Sequence, residues 1–240
     1  MEHTKRPHDK FFDLPIDGLE TREIPMKTLM ARYDRFLQEG DLHSAFAALE
    51  FGEKSNFLPA KLELARLLHR EPGLMNTRGA QLLRSERLYR EILNLPDLNR
   101  SMEGKLCLEA ADVFRDLNQT VAWMWALLRA RRLGQTVSED TLSRCRKRLQ
   151  TVELKTLADC REDCCRLGQE MARAGELRNA EGFLLEAAAS PNRDLSGRSC
   201  LYLAEVYDEM SLREPRYHAD AEKYFRLAAR KGHPELIRPR

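Results

Sequence analysis

A six-residue motif occurs twice in this 240-residue chain and constrains its fold. It consists of glycine, an acidic residue, leucine, two variable residues and alanine. The copies are GELRNA at 175–180 and GDLHSA at 40–45. Glycine suits the left-handed backbone position that ends one helix, and the acid suits the positive N-terminus of the next. Apolar residues at helical spacing flank both copies. A helical hairpin cannot bury its apolar faces alone, so the chain is predicted to stack several of them.

Three further segments repeat the hairpin pattern. The sharpest ends in AEKYFRLAARKG at 221–232, and two weaker copies run over 64–93 and 108–130, the latter with Asn118 at the turn. The turn motif resembles that of tetratricopeptide (TPR) repeats, and the string at 221–232 resembles the Sel-one-like repeat, a relative of TPR with a longer internal loop. The resemblance implies an all-α fold, a right-handed α-solenoid of about five TPR/Sel-one-like helical hairpins.

The spacing of the repeats predicts the organisation of the chain. We expect a polar N-terminal tail at 1–24, repeats one to three at 25–134, an additional connecting helix at 135–153, repeats four and five at 154–234, and a C-terminal end at 235–240. Ser138 is the predicted N-cap of the connecting helix, which either extends the stack or joins two blocks of repeats. The tail either covers the first repeat or docks on a partner.

Composition excludes several classes of protein. Charged residues make up 32% of the chain, and no apolar run approaches the ~18 residues of a membrane span. The net charge of +2 is too small to make nucleic acid the default partner. The common nucleotide, zinc-protease and serine-nucleophile motifs are absent from the sequence. The N-terminal segment has no apolar core typical of a secretory signal, and the six cysteines are expected to be reduced thiols. We therefore expect a cytoplasmic protein that is not inserted in a membrane, needs no cofactor or metal and is not an enzyme.

A cysteine-containing stripe between 157 and 174 has two interpretations. Its members step by three and four residues: Leu157, Cys160, Cys164, Leu167, Met171 and Ala174. Cys160 and Cys164 could share a zinc ion, because thiolates favour zinc. No histidine lies nearby to complete such a site, and cysteine is often a buried small apolar residue. The sequence favours one continuous helical stripe packed in the core.

A basic stretch at 129–148 is the strongest charge feature. It contains two acids and seven basic residues: Arg129, Arg131, Arg132, Arg144, Arg146, Lys147 and Arg148. Such a stretch could bind nucleic acid phosphates, contact an acidic partner or lie in water. It lacks the interleaved aromatic residues that stack on bases, which argues against nucleic acid.

The resemblance also implies a binding surface, because the first helix of each TPR hairpin lines the concave side. Alignment of the repeats places Gln38, Arg70, Arg115, Arg173 and Glu209 at equivalent positions. We expect the three arginines, with Arg66, Phe114 and Gln169 on the same face, to bind an acidic, partly apolar segment of another protein or peptide. The alternative is that arginines near helix ends favour the helix dipole and stay in water.

The expected function is accordingly that of a scaffold or adaptor that binds a partner protein or peptide in the concave groove of the solenoid. One alternative is a nucleic-acid-binding helical-repeat regulator. Another is an immunity-type protein that neutralises a toxin.

Overall fold

Helices dominate the computed structural model, which describes residues 26–233. Over this range it contains α-helices and one short 3-10 helix, and no strand. The helices pack largely against their neighbours in sequence, which confirms the all-α prediction. The handedness, the number of repeats and the solenoid arrangement stay predictions. The tail predicted at 1–24 and the end predicted at 235–240 lie outside the described residues.

The chain divides into two compact units between Asn99 and Arg100. The described part of the first unit contains four helices: α1 (Met26–Gln38), α2 (Leu42–Lys54), α3 (Leu58–Arg70) and α4 (Arg78–Leu93). Each packs on the next in turn. Three leucines with no exposed surface, Leu29, Leu49 and Leu64, belong to the core of this unit.

The second unit contains the remaining helices. They are α5 (Arg100–Asp116), α6 (Thr120–Arg132), α7 (Glu139–Leu149), α8 (Leu154–Asp159), α9 (Arg161–Arg173), α10 (Leu177–Ala188), α11 (Arg193–Ser211), η1 (Pro215–Tyr217) and α12 (His218–Arg230). The closest helix pairs are α5 with α6, α9 with α10, and α11 with α12. Helix α6 packs directly on α9, and α10 packs on α11.

The turns between paired helices have the backbone that the sequence motif predicts. Gly40 and Gly175 adopt φ values of 73° and 80°, in the left-handed region that glycine enters without strain. Asn118 adopts a φ of 57° in the turn between α5 and α6, a conformation that asparagine tolerates better than most residues. The motif therefore marks these helix ends correctly.

Helix α7 lies beside the hairpins of the second unit. Ser138 is its N-cap and accepts a hydrogen bond from the Thr141 amide, as predicted. The helix packs chiefly on α6, whereas α6 itself packs on α9. This cover explains why α6 is buried on all sides from Val121 to Leu128. Arg148 of α7 lies 5.7 Å over the Trp123 ring, which is only 5% exposed.

The cysteine stripe is only partly as predicted. Cys164, Leu167 and Met171 are buried on α9. The helix breaks at Cys160, which ends α8 with φ −118° and ψ 36°, and Ala174 at the other end is exposed. The prediction of one continuous stripe is therefore wrong at both ends.

The chemical state of the cysteines follows from their burial. All six are free thiols. The sulfur atoms of Cys160 and Cys164 lie 4.0 Å apart, and no group of three or more metal-ligating side chains occurs within 26–233. Burial raises the pKa of both Cys107 and Cys145 to about 12, so these thiols stay protonated at neutral pH. No helix in the same range combines the length and apolar character needed to cross a bilayer.

Candidate functional site

The residues of the predicted groove lie in both units. Arg66 and Arg70 belong to α3 of the first unit, where Arg66 bonds Glu63 at 2.6 Å and Arg70 bonds Glu71 at 3.0 Å. These are contacts between close neighbours in sequence, and both arginines keep exposed surface. These contacts fit the alternative interpretation, in which arginines near a helix end stay in water, at least as well as they fit a partner-binding groove.

Phe114, Arg115, Gln169 and Arg173 belong to the second unit. Phe114 has no exposed surface and its ring centroid lies 6.3 Å from that of Trp125. The prediction that Phe114 contacts a partner is therefore wrong, because the aromatic ring fills the core between α5 and α6. Arg115 bonds Asp112 and Asp116 of its own helix, and Gln169 is half-buried on α9.

Arg173 is different, because it meets part of the basic stretch. A surface pocket of about 370 Å³ is lined by residues from the last turns of α6 and α9 and by Arg146 of α7. We call it the arginine pocket, and its charged lining consists of four arginines and two glutamates: Arg131, Arg132, Arg146, Arg173, Glu170 and Glu176. Two features of the sequence that are distant along the chain thus form one site.

A buried carboxylate organises one wall of the arginine pocket. The Glu170 side chain is 2% exposed and accepts hydrogen bonds from Arg129 Nη1 at 3.0 Å, Arg132 Nε at 2.7 Å and Arg173 Nη1 at 2.9 Å. Burial raises the pKa of Glu170, and the guanidinium groups of Arg129 and Arg173 oppose that rise. Arg129 also bonds Glu103 at 2.6 Å, which ties α5 to the same cluster.

The lining also contains the acidic residue of the turn motif, Glu176. Glu176 occupies the N-cap position of α10 but makes no capping hydrogen bond there. Its carboxylate instead accepts hydrogen bonds from Arg146 Nη2 at 2.8 Å and Asn179 Nδ2 at 3.0 Å. In the equivalent turn of the first unit, Asp41 does cap its helix by accepting from the Ser44 amide. Glu176 therefore forms a tertiary contact with Arg146 in place of a local helix cap.

The chemistry of the arginine pocket is that of anion recognition. Guanidinium groups present planar forks of N–H donors that match the oxygens of carboxylates and phosphates. Leu128 and Ala174 add apolar surface to the lining. The sequence indicated Arg173 and the basic stretch at 129–148 separately, without predicting that they meet. The seven basic residues of that stretch were the feature that could have indicated the arginine pocket.

The chain gives no match when compared with protein-family models, and no curated protein matches it significantly. The resemblance to TPR and Sel-one-like repeats therefore stays a prediction that rests on the motifs alone.

Proposed function

We propose that this protein is an interaction scaffold or adaptor, and that the arginine pocket of its second unit binds an acidic segment of a partner protein or peptide. The observation that carries the proposal is the convergence of Arg131, Arg132, Arg146 and Arg173 on one pocket. These side chains come from α6, α7 and α9, so the site exists only in the folded unit. The apolar surface of Leu128 and Ala174 suits a segment that is partly apolar.

The pairing of the other basic residues favours a protein partner over nucleic acid. Arg144 bonds Asp140 at 2.9 Å on the exposed face of α7, and Arg148 lies over Trp123. Arg129 is held between Glu103 and Glu170. The stretch at 129–148 thus directs its charges to several separate places, whereas a nucleic acid backbone needs cations along a continuous path.

Affinity capture with matched variants tests this proposal. The double variant Arg131→Glu/Arg146→Glu reverses two pocket charges and spares the partners of Glu170. Arg144→Glu/Arg226→Glu makes the same change in charge at two exposed positions away from the lining. We expect the protein captured from the native host by the unmodified chain to be lost with the first variant and kept with the second. Circular dichroism confirms that both variants are folded.

Two outcomes would count against the proposal. Equal capture by the pocket variant and its control would remove the arginine pocket as the binding site. Binding of nucleic acid at low salt, with a steep loss of affinity as salt is added, would favour the nucleic-acid-binding alternative.

A further inference from the structure

We propose that the arginine pocket recognises a phosphate monoester, so that the partner segment presents a phosphorylated side chain. The premise that the ligand belongs to a partner protein comes from the proposed function. The class of anion rests on the donors, the charge and the rigidity of the pocket itself.

The pocket arginines retain many hydrogen-bond donors beyond their bonds to carboxylates. A guanidinium group has five N–H donors. Arg132 uses two on Glu170, Arg173 uses one on Glu170, and Arg146 uses one on Glu176. A phosphate monoester offers three terminal oxygens that accept hydrogen bonds, against two in a carboxylate. The larger number of acceptors suits a site with guanidinium groups on several sides.

The charge of the lining matches a dianion. Four arginines and two glutamates give the lining a net charge of two positive. A phosphate monoester has a charge of about −1.5 to −2 at pH 7, whereas a carboxylate or a phosphodiester has a single negative charge. Glu139, which pairs with Arg131 at 2.8 Å, has a side chain 68% exposed and lies outside the lining. An anion in the pocket competes with that exposed pair for Arg131.

Buried and half-buried ion pairs hold the donors in place before a ligand arrives. Arg132 and Arg173 both bond Glu170, which cannot move far because it is buried. Arg146 is held by Glu176 at the start of α10. Donors that are already positioned lose less conformational entropy on binding than free side chains do. The two glutamates thus orient the arginines without cancelling their charge.

Calorimetric titration of the full chain tests this inference with three small probes at constant ionic strength. Phenyl phosphate represents a phosphorylated side chain, benzoate has the same ring with one negative charge, and inorganic phosphate lacks the ring. We expect phenyl phosphate to bind at least tenfold more tightly than benzoate. Arg131→Gln/Arg146→Gln should weaken its binding roughly tenfold or more, because two charged donors are lost.

Two variants sharpen the titration. Arg144→Gln removes a charge from the same helix at a 66% exposed side chain, and we expect the affinity for phenyl phosphate to change less than about twofold. Glu176→Gln makes the lining more positive, while the amide oxygen of glutamine can still accept the hydrogen bond from Arg146, so this variant should tighten binding. Equal affinities for benzoate and phenyl phosphate, or an unchanged affinity in Arg131→Gln/Arg146→Gln, would overturn the inference.

The source of the phosphate is distinguished by treating the captured partner with a phosphatase. Loss of capture supports a phosphorylated side chain on the partner, and unchanged capture overturns that assignment. If phenyl phosphate does not bind but Arg131→Glu/Arg146→Glu still loses the partner, the phosphate inference is wrong and the proposed function stands. If phenyl phosphate binds while that variant keeps the partner, the pocket binds a small phosphate ester and the proposed function fails there.

Discussion

Arg132 donates two hydrogen bonds to the Glu170 carboxylate, from Nε at 2.7 Å and from Nη2 at 3.3 Å. The two residues are 38 positions apart, and their bond joins the end of α6 to α9. Arg129 and Arg173 donate to the same carboxylate. One buried acid therefore sets the positions of guanidinium groups from two helices.

Replacing Glu170 with alanine should destabilise the second unit by about 1–3 kcal/mol, because three arginines lose a buried acceptor and then repel one another. Glu139→Ala is the matched control, since it also removes a carboxylate bonded to an arginine, but at a side chain 68% exposed. We expect that control to change stability by less than about 1 kcal/mol. Urea unfolding followed by circular dichroism measures both, and equal losses would show that the Glu170 cluster contributes no more than a surface pair.

Leu167→Asp should destabilise the chain by at least about 3 kcal/mol, because it places an unpaired charge at a position with no exposed surface. Leu154→Asp makes the same substitution on α8 at a residue that is 77% exposed. We expect the Leu154 variant to melt close to the unmodified protein. A Leu167 variant that melts at the same temperature as the Leu154 variant would contradict the packing of α9.

Gly168→Ala and Gly182→Ala should change stability in opposite directions. A Cβ atom at Gly168 would lie 2.6 Å from Leu184 Cγ and 3.2 Å from the Ala180 carbonyl oxygen, so the substitution should cost about 1–3 kcal/mol. Gly182 has nothing within 4 Å of its added Cβ atom and lies within α10. Alanine there should stabilise the helix by about 0.5–1 kcal/mol. Thermal unfolding compares the pair, and a stabilising Gly168→Ala would refute the close approach of α9 and α10.

Thiol labelling of the native protein should be slow at all buried cysteines. Because burial raises the pKa of Cys107 and Cys145 to about 12, the reactive thiolate is scarce at pH 8 and becomes abundant only as the pH approaches that value. Half-buried Cys160 should react first, so Cys160→Ser should remove the fastest phase. All six should react rapidly in denaturant. Rapid stoichiometric labelling of Cys107 at pH 8 in the folded chain would show that its burial is misassigned.

Local features of the structure could be predicted from the sequence because their causes are local. Gly175 and Gly40 mark turns through their own backbone preference, and Ser138 caps α7 through a neighbouring amide. The periodic apolar residues of paired helices identify the buried faces for the same reason. Pro59, at the first turn of α3, is a further signal of this kind.

The basic stretch at 129–148 pointed to the region of the arginine pocket, but the residues that line the pocket could not be predicted, because they meet through contacts between positions far apart in sequence. Arg146 and Glu176 are 30 positions apart and meet only because α7 folds back on α6. Charged residues show no periodicity that would identify such a partner. Phe114 illustrates a related problem, because alignment assigned it to a binding face but the structure buries it completely, with its ring centroid 6.3 Å from that of Trp125.

Helix α7 has one further consequence for the behaviour of this protein in solution. Only Leu142 and Cys145 of its eleven residues are buried, so we expect it to detach at a lower free energy than the unfolding of the whole unit. Detachment removes Arg146 from Glu176, and an isolated helix of eleven residues then unfolds, which opens the amides of α7 to exchange. An anion held by Arg146 therefore opposes detachment and slows hydrogen–deuterium exchange along Glu139–Leu149, which makes the protection of this one helix a measure of how full the pocket is.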